Sequence, residues 1–234
     1  MNILAIGAHP DDLEISCGGT LIRYVNEGHK VTMCTVSGGD MGHAIIMPEE
    51  LVDIRRKESE EAARIIGADF CSLDSSDGFI ESSDKGSRQK LIEIIRQTRP
   101  DVIITHNPDD YMRDHIQAGS LAYDASFISS LPHILTETGH TTFIPPVFFM
   151  DTLAGIGFIP TEYVDISEVI DQKLKALACH ESQIKWLKDH DGIDFLDFVK
   201  TCNKYRGLQA SVPYAEGFRQ YAGWPRLTTK RLLP

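Results

Sequence analysis

Near the amino end of this 234-residue chain, His9-Pro10-Asp11-Asp12 brings an imidazole and two carboxylates within four positions. A histidine nitrogen and a carboxylate oxygen three residues apart across a turn can converge on one cation, and that donor pair suits Zn²⁺ or another divalent metal. Adjacent side chains seldom point the same way, so if Asp12 is a ligand, Asp11 is left free to act as a base toward water. A catalytic zinc usually has three protein ligands, so a third must come from elsewhere. The competing reading is that Asp11 or Asp12 caps the helix that follows, since helix N-termini favour carboxylates.

The element that must present this cluster is the apolar run Ile3 to Ala8. It is too short for a helix and reads as a strand buried on both faces. Pro10 removes a backbone donor and ends the pairing. The cluster therefore falls just past the carboxyl end of a central strand, where open parallel α/β sheets bind their ligands. A helix over 14–27 stopped by Gly28, and a strand over 30–36, complete a βαβ unit. Gly18-Gly19 lowers helix propensity and implies close approach to the sheet or a ligand.

Further on, the periodicity predicts helices over 49–66, 86–98, 114–130, 167–188 and 194–206, and strands over 70–73, 101–106, 147–150 and 163–166. The Pro- and Thr-rich stretch 131–146 is expected as a loop at the pocket mouth. Ser37-Gly38-Gly39-Asp40-Met41-Gly42-His43 and Ser75-Ser76-Asp77-Gly78 are polar loops at the same carboxyl edge.

The run Ala8-His9-Pro10-Asp11-Asp12-Leu13-Glu14, with Gly18-Gly19 behind it, resembles the opening motif of the LmbE-like, or PIG-L, family of zinc-dependent N-acetylglucosamine deacetylases. The resemblance implies His9 and Asp12 as metal ligands and Asp11 as general base. It extends to Asp110-Tyr111-Met112-Arg113-Asp114-His115, similar to a closing Asp-x-His-Pro-Asp-His motif. There it implies His115 as the third ligand and Asp114 as the acid that orients neighbouring groups. Asp40 and Asp77 match acidic loop residues of the family's substrate pocket, and Arg55 matches an arginine directed at the substrate. His180, in a segment similar to the family's Leu-x-x-His-x-Ser-Gln, reads as structural, and His43 as a solvated loop histidine.

Met112 departs from that pattern. The family carries a histidine there that donates to the developing oxyanion, and a thioether cannot. Losing one such donor typically costs about 2.7–4 kcal/mol, roughly 10²–10³ in rate. Arg113 could stabilise the oxyanion if it turned inward. The function this implies is metal-dependent removal of an N-acetyl or other N-acyl group from an amino sugar or glycoconjugate. The alternative is a metal-retaining sugar or nucleoside binding protein whose catalysis is weakened or lost. Zn²⁺ is the expected cofactor, with Fe²⁺ compatible with the same two-nitrogen, one-carboxylate set.

Composition narrows the rest. A formal charge of −11 without a basic run opposes nucleic acid as a partner. No apolar stretch approaches the roughly 18 residues of a spanning helix, and no secretory signal opens the chain, so a cytoplasmic protein without a membrane partner is expected. Five scattered cysteines form no Cys-x-x-Cys pair and read as reduced thiols. The turn after the first strand is His-Pro-Asp-Asp rather than Gly-x-Gly-x-x-Gly, which argues against a plain nucleotide binder. The expected fold is a single α/β domain over 1–234, a Rossmann-like three-layer sandwich with a mostly parallel sheet. Its core would be 1–130, with a helical portion over 131–234 closing the site. The family resemblance also implies a homo-oligomer, trimer or hexamer.

Overall fold

The opening apolar run forms β1 (Asn2–Gly7), in which everything from Ile3 onward is buried. A computed structural model describes all residues, 1–234. After β1 come α1 (Asp12–Ser16), α2 (Gly18–Asn26), β2 (Lys30–Ser37), α3 (Pro48–Ile66), β3 (Asp69–Ser75), α4 (Lys85–Thr98), β4 (Val102–Thr105) and α5 (Arg113–Ile128). The remainder supplies β5 (Val147–Met150), β6 (Glu162–Asp165), α6 (Ile170–Leu177), α7 (Glu181–Asp191), α8 (Phe195–Ala210) and β7 (Ala215–Gln220). All seven strands form one sheet in the order β3-β2-β1-β4-β5-β7-β6. The five strands from β3 to β5 are parallel, and β7 runs antiparallel to both of its neighbours.

Alternate residues of β1 serve opposite cores. Ile3 and Ala5 join Leu21, Ile22, Ala62 and Ile170 on one face. Leu4 and Ile6 join Leu91, Ile95, Ala118 and Leu121 on the other. This is the expected three-layer α/β sandwich: a strand covered on both faces has no room for polar alternation. The chain winds from β1 outward through β2 to β3, then returns to place β4 on the other side of β1, with Ile6 paired to Thr105. Such a reversal opens a crevice beyond the carboxyl ends of the two strands. Residues 8–12 and 106–115 both lead out of strands that border it.

Several expectations need correction. The helix expected over 14–27 is two helices, broken where Cys17 takes φ −143. Gly19 is there because a Cβ would sit 2.7 Å from the Ile166 side chain. The helix expected over 167–188 breaks between α6 and α7 at residues 178–180. Strand β7 was not foreseen, because Glu216 and Gly217 spoil an apolar run; burial of Glu216 is possible only because Gly19, Thr20 and Lys173 all donate to it. Segment 131–146 does not lie at the pocket mouth. α5 starts at the carboxyl edge and runs back, so its connection to β5 lies at the opposite edge, where the Arg96 guanidinium donates to the carbonyls of Ser129, Leu131 and Ile134. All five cysteines are free thiols. No helix is long and apolar enough to cross a membrane.

Candidate functional site

Each of the two histidines expected to bind metal has one ring nitrogen against a carboxylate. His9 Nε2 lies 3.0 Å from Asp114 Oδ2, and His115 Nδ1 lies 3.1 Å from Asp110 Oδ2. Such a partner fixes the tautomer and aims the other nitrogen. Those other nitrogens converge on Asp12: His9 Nδ1 is 3.4 Å from Oδ2, and His115 Nε2 is 3.3 Å from Oδ1. The donor atoms of the three residues all lie within 4.8 Å of one another. Two ligands bonded at about 2.0–2.1 Å to a tetrahedral ion stand roughly 3.3 Å apart, so the set fits a small divalent cation. His115 Nε2 is buried and has no hydrogen-bond partner, which leaves it free to bind a cation.

The electrostatics ask for positive charge at the same point. Burial works against the His9 imidazolium, yet hydrogen bonds to Asp114 and Asp12 outweigh it and push its pKa up to about 10. His115 is likewise pushed up to about 9: burial opposes the charge, while Asp12 and Asp110 favour it. Burial alone would raise Asp12, but the charge on His115 and the hydrogen bond with His106 hold its carboxyl well below the usual range. A bound cation would take the place of those protons.

Asp11 does not cap α1, since its side chain makes no cap hydrogen bond. Nor does Asp12, whose Oδ2 accepts instead from the His9 backbone N–H at 2.7 Å. Asp11 is held at φ 97, a left-handed conformation unusual for a residue with a side chain. Burial pushes its carboxyl up to about 6, against the pull of the Arg55 guanidinium 3.3 Å away. Arg55 reaches this point from α3 and is only 2% exposed. It donates to the carbonyl of Pro10 at 2.6 Å and to that of Gly39 at 3.3 Å, and lies 3.8 Å from Asp77 Oδ2. Gly39, at φ 78, is obligatory because a Cβ would stand 2.7 Å from Arg55. Its helix neighbour Glu58 accepts from Ser182 N and Oγ, seating the start of α7 beside the site.

His9, Asp11, Asp12, Arg55, Asp77 and His115 line one cavity of about 510 Å³, together with Met112 and Gln183. Three residues named from sequence stand elsewhere. Asp40 lies behind the cavity, accepting from Ser76 Oγ at 2.6 Å and Asp77 N at 2.8 Å, and so shapes the loop that carries Asp77. Asp114 acts through His9 and also accepts from Gly78 N at 2.6 Å. Arg113 turns away: its side chain is 70% exposed and pairs with Glu81 at 2.9 Å, so it cannot serve an oxyanion here. His43 accepts from the backbone of Ile45 and Ile46. His180 is buried against Glu14 at 3.3 Å. A larger cavity of about 620 Å³ lies alongside, between α8 and the turn after β5, but its Arg206 is already paired with Asp151 at 2.6 and 3.0 Å.

Sequence reasoning missed Asp110 and His106. His106 Nε2 lies 3.1 Å from Asp12 Oδ2 and 3.0 Å from Ala8 N, and its ring stacks on His115 with centroids 3.9 Å apart. Burial lowers its pKa to about 4, so it sits there neutral. The available signal was a histidine ending a buried strand next to the one that carries His9.

The family model for PIG-L, GlcNAc-PI de-N-acetylase, matches residues 4–126, which include both groups of donors. The chain belongs to this family. It is 28% identical over 234 residues to a diacetylchitobiose deacetylase of Thermococcus kodakarensis, covering 94% of this chain and 83% of that one. Among solved structures it is similar to N,N'-diacetylchitobiose deacetylase from Pyrococcus horikoshii, with TM-score 0.80, 28% identity, and coverage of 94% and 83%. The 4-carboxy-2-hydroxymuconate hydratase GalB of Pseudomonas putida matches with TM-score 0.83 over 99% of this chain and all of its own, but at 24% identity that likeness concerns the fold alone. The PIG-L match ends before α6, α7 and α8, so Gln183, Leu187, Phe195 and Phe198 of the cavity lie outside it.

Proposed function

We propose that this PIG-L family member is a metal-dependent deacetylase that hydrolyses the acetamide of an N-acetylated amino sugar or glycoconjugate. The observation that carries the reading is the convergence of two carboxylate-backed histidines on Asp12, with a base held next to them. The relatives named for diacetylchitobiose deacetylation support the substrate class, and do not favour a binding protein without turnover.

His9, Asp12 and His115 would hold the cation, Zn²⁺ or alternatively Fe²⁺. When bound, it supplies Lewis acidity at the amide carbonyl and makes water more acidic. Asp11 takes the proton from water as its oxygen attacks the amide carbon, then delivers that proton to the amine nitrogen as the C–N bond breaks, releasing acetate and the free amine. Burial serves this step by raising the carboxyl's affinity for protons. Arg55 fixes Asp11 and offers, with Asp77 and Gln183, polar contacts for sugar hydroxyls. Asp110 and Asp114 hold the two imidazoles, and Asp40 supports the Asp77 loop.

Asp11→Asn should lower kcat on N-acetylglucosamine conjugates by about 10²–10⁴ while metal content stays at the wild-type level. An unchanged rate in a metal-loaded variant would remove Asp11 from the mechanism.

A further inference from the structure

The cavity has two unlike sides. One is the charged floor of Asp11, Asp12, Arg55 and Asp77; the other is made by Met112, Leu153, Ile156, Leu187, Phe195 and Phe198. Ile156 is 55% exposed and Tyr111, on the same rim, 52%. Met112 and Tyr111 come from the connection between β4 and α5, and the other side chains from the turn after β5, from α7 and from α8. Backbone strain fixes part of that wall: between Leu153 and Ile156 the chain passes through Ala154 at φ 56 and Gly155 at φ 69. For alanine that conformation is unfavourable and persists only where the surroundings impose it. The neighbouring larger cavity shares Ile15, Leu153, Ala154 and Phe198 with this one, so the apolar wall continues beyond the immediate site.

A bare amino sugar carries hydroxyls around the edge of its ring and apolar C–H groups only on its two faces. Pressed against these side chains, hydroxyls on the far side would lose water and find no partner. A hydrocarbon group in the same place would cover Ile156 and the half-buried side chains beside it with a gain. Because floor and wall bound one space, a part of the substrate that covers the wall lies close to the group that reacts at the floor.

We infer that the substrate carries an apolar group of several carbons close to the scissile amide, seated on the wall formed by Met112, Leu153, Ile156, Leu187, Phe195 and Phe198. The inference rests on the deacetylase reading and narrows its substrate class. The shared chemistry is a hydrocarbon group, which can be part of the acyl chain or of the substituent at the sugar's anomeric carbon.

Two series separate these sources. Methyl glucosaminides N-acylated with acetyl, butanoyl and hexanoyl groups lengthen the acyl side, and N-acetylglucosaminides with methyl, butyl and hexyl aglycones lengthen the other. In one series kcat/KM should rise by about tenfold to a hundredfold from the shortest member to the longest. Ile156→Asn, a change at an exposed position, should flatten that rise. Flat or falling values in both series, with the short amides still hydrolysed, would overturn the inference and leave deacetylation standing. Hydrolysis of no member would overturn the deacetylase reading instead. Calorimetric binding of both series to the Asp11→Asn protein then reads the wall without turnover: tightening with length supports the inference, and affinity independent of length overturns it.

Discussion

Glu216 and Asp12 are both fully buried carboxylates that face nitrogen cations or potential cations from distant parts of the chain, and the contrast lies in what each leaves unpaired. Glu216 Oε1 accepts from Gly19 N and from Lys173 Nζ, and its Oε2 accepts from Thr20 N and Oγ1. Lys173 Nζ also donates to the Ile15 carbonyl. Both carboxylate oxygens are filled, and the result joins α2, α6 and β7. At Asp12 the geometry is as crowded but does not close: His115 Nε2 faces Oδ1 without a hydrogen bond, and His106 Nδ1 has no partner at all. A buried polar cluster that satisfies itself holds a fold together, whereas one that leaves ring nitrogens unpartnered is prepared for something it binds.

The largest expected effect sits in the closed cluster. Lys173→Met strands Glu216 without its counter-charge and should lower stability by about 3–5 kcal/mol in urea titrations. Metal affinity of the folded protein should stay unchanged, and a loss there would mean the clusters are one unit. In the open cluster, Met112→His adds a donor to the cavity and should raise kcat on acetamido sugars by about 10²–10³ if transition-state stabilisation is short of one donor. Absence of turnover in both forms would favour a binding protein. His106→Ala removes the group stacked on His115 and set against Asp12. It should weaken metal binding about ten- to a hundredfold in chelator competition, with the three ligands intact. Equal affinity would make His106 a packing residue only.

The smallest effect tests a second closed cluster, at the opposite edge of the sheet. Hydrogen bonds from Thr138 lower the Glu93 carboxyl to about 2. Because the folded value lies below the unfolded one, near 4.3, this contact adds stability above the unfolded pKa and loses it as pH falls toward 2. Glu93→Gln should erase the increment present near pH 5, and with it the loss toward pH 2, without touching metal binding. Thermal melts between pH 5 and pH 2 read the difference, and identical profiles for the two proteins would show that Glu93 contributes nothing.

The same contrast explains what the sequence made legible. His9 and Asp12 were legible as a candidate donor pair because their motif follows an apolar strand, whereas the family resemblance supplied their role as ligands and the third residue, His115; two adjacent parallel strands bring all three to one crevice. His106 was hidden by its position at the end of a buried run, where it passes for strand. Asp110 was hidden because its role exists only through His115. Arg113 could not be judged from type and spacing: the first turn of α5 rotates it toward Glu81 and solvent. Glu216 shows the converse, since a glutamate in a strand argues against a strand until its partner Lys173, 43 residues earlier, is known. Segment 131–146 went to the wrong edge because its composition says loop, while only the direction of α5 says where the loop is.

Equilibrium dialysis of the intact chain against Zn²⁺ tests the central claim most directly. One ion should be retained per chain, and His9→Ala, Asp12→Ala or His115→Ala should each abolish retention while His43→Ala does not. Undiminished zinc in all three ligand variants would contradict the account.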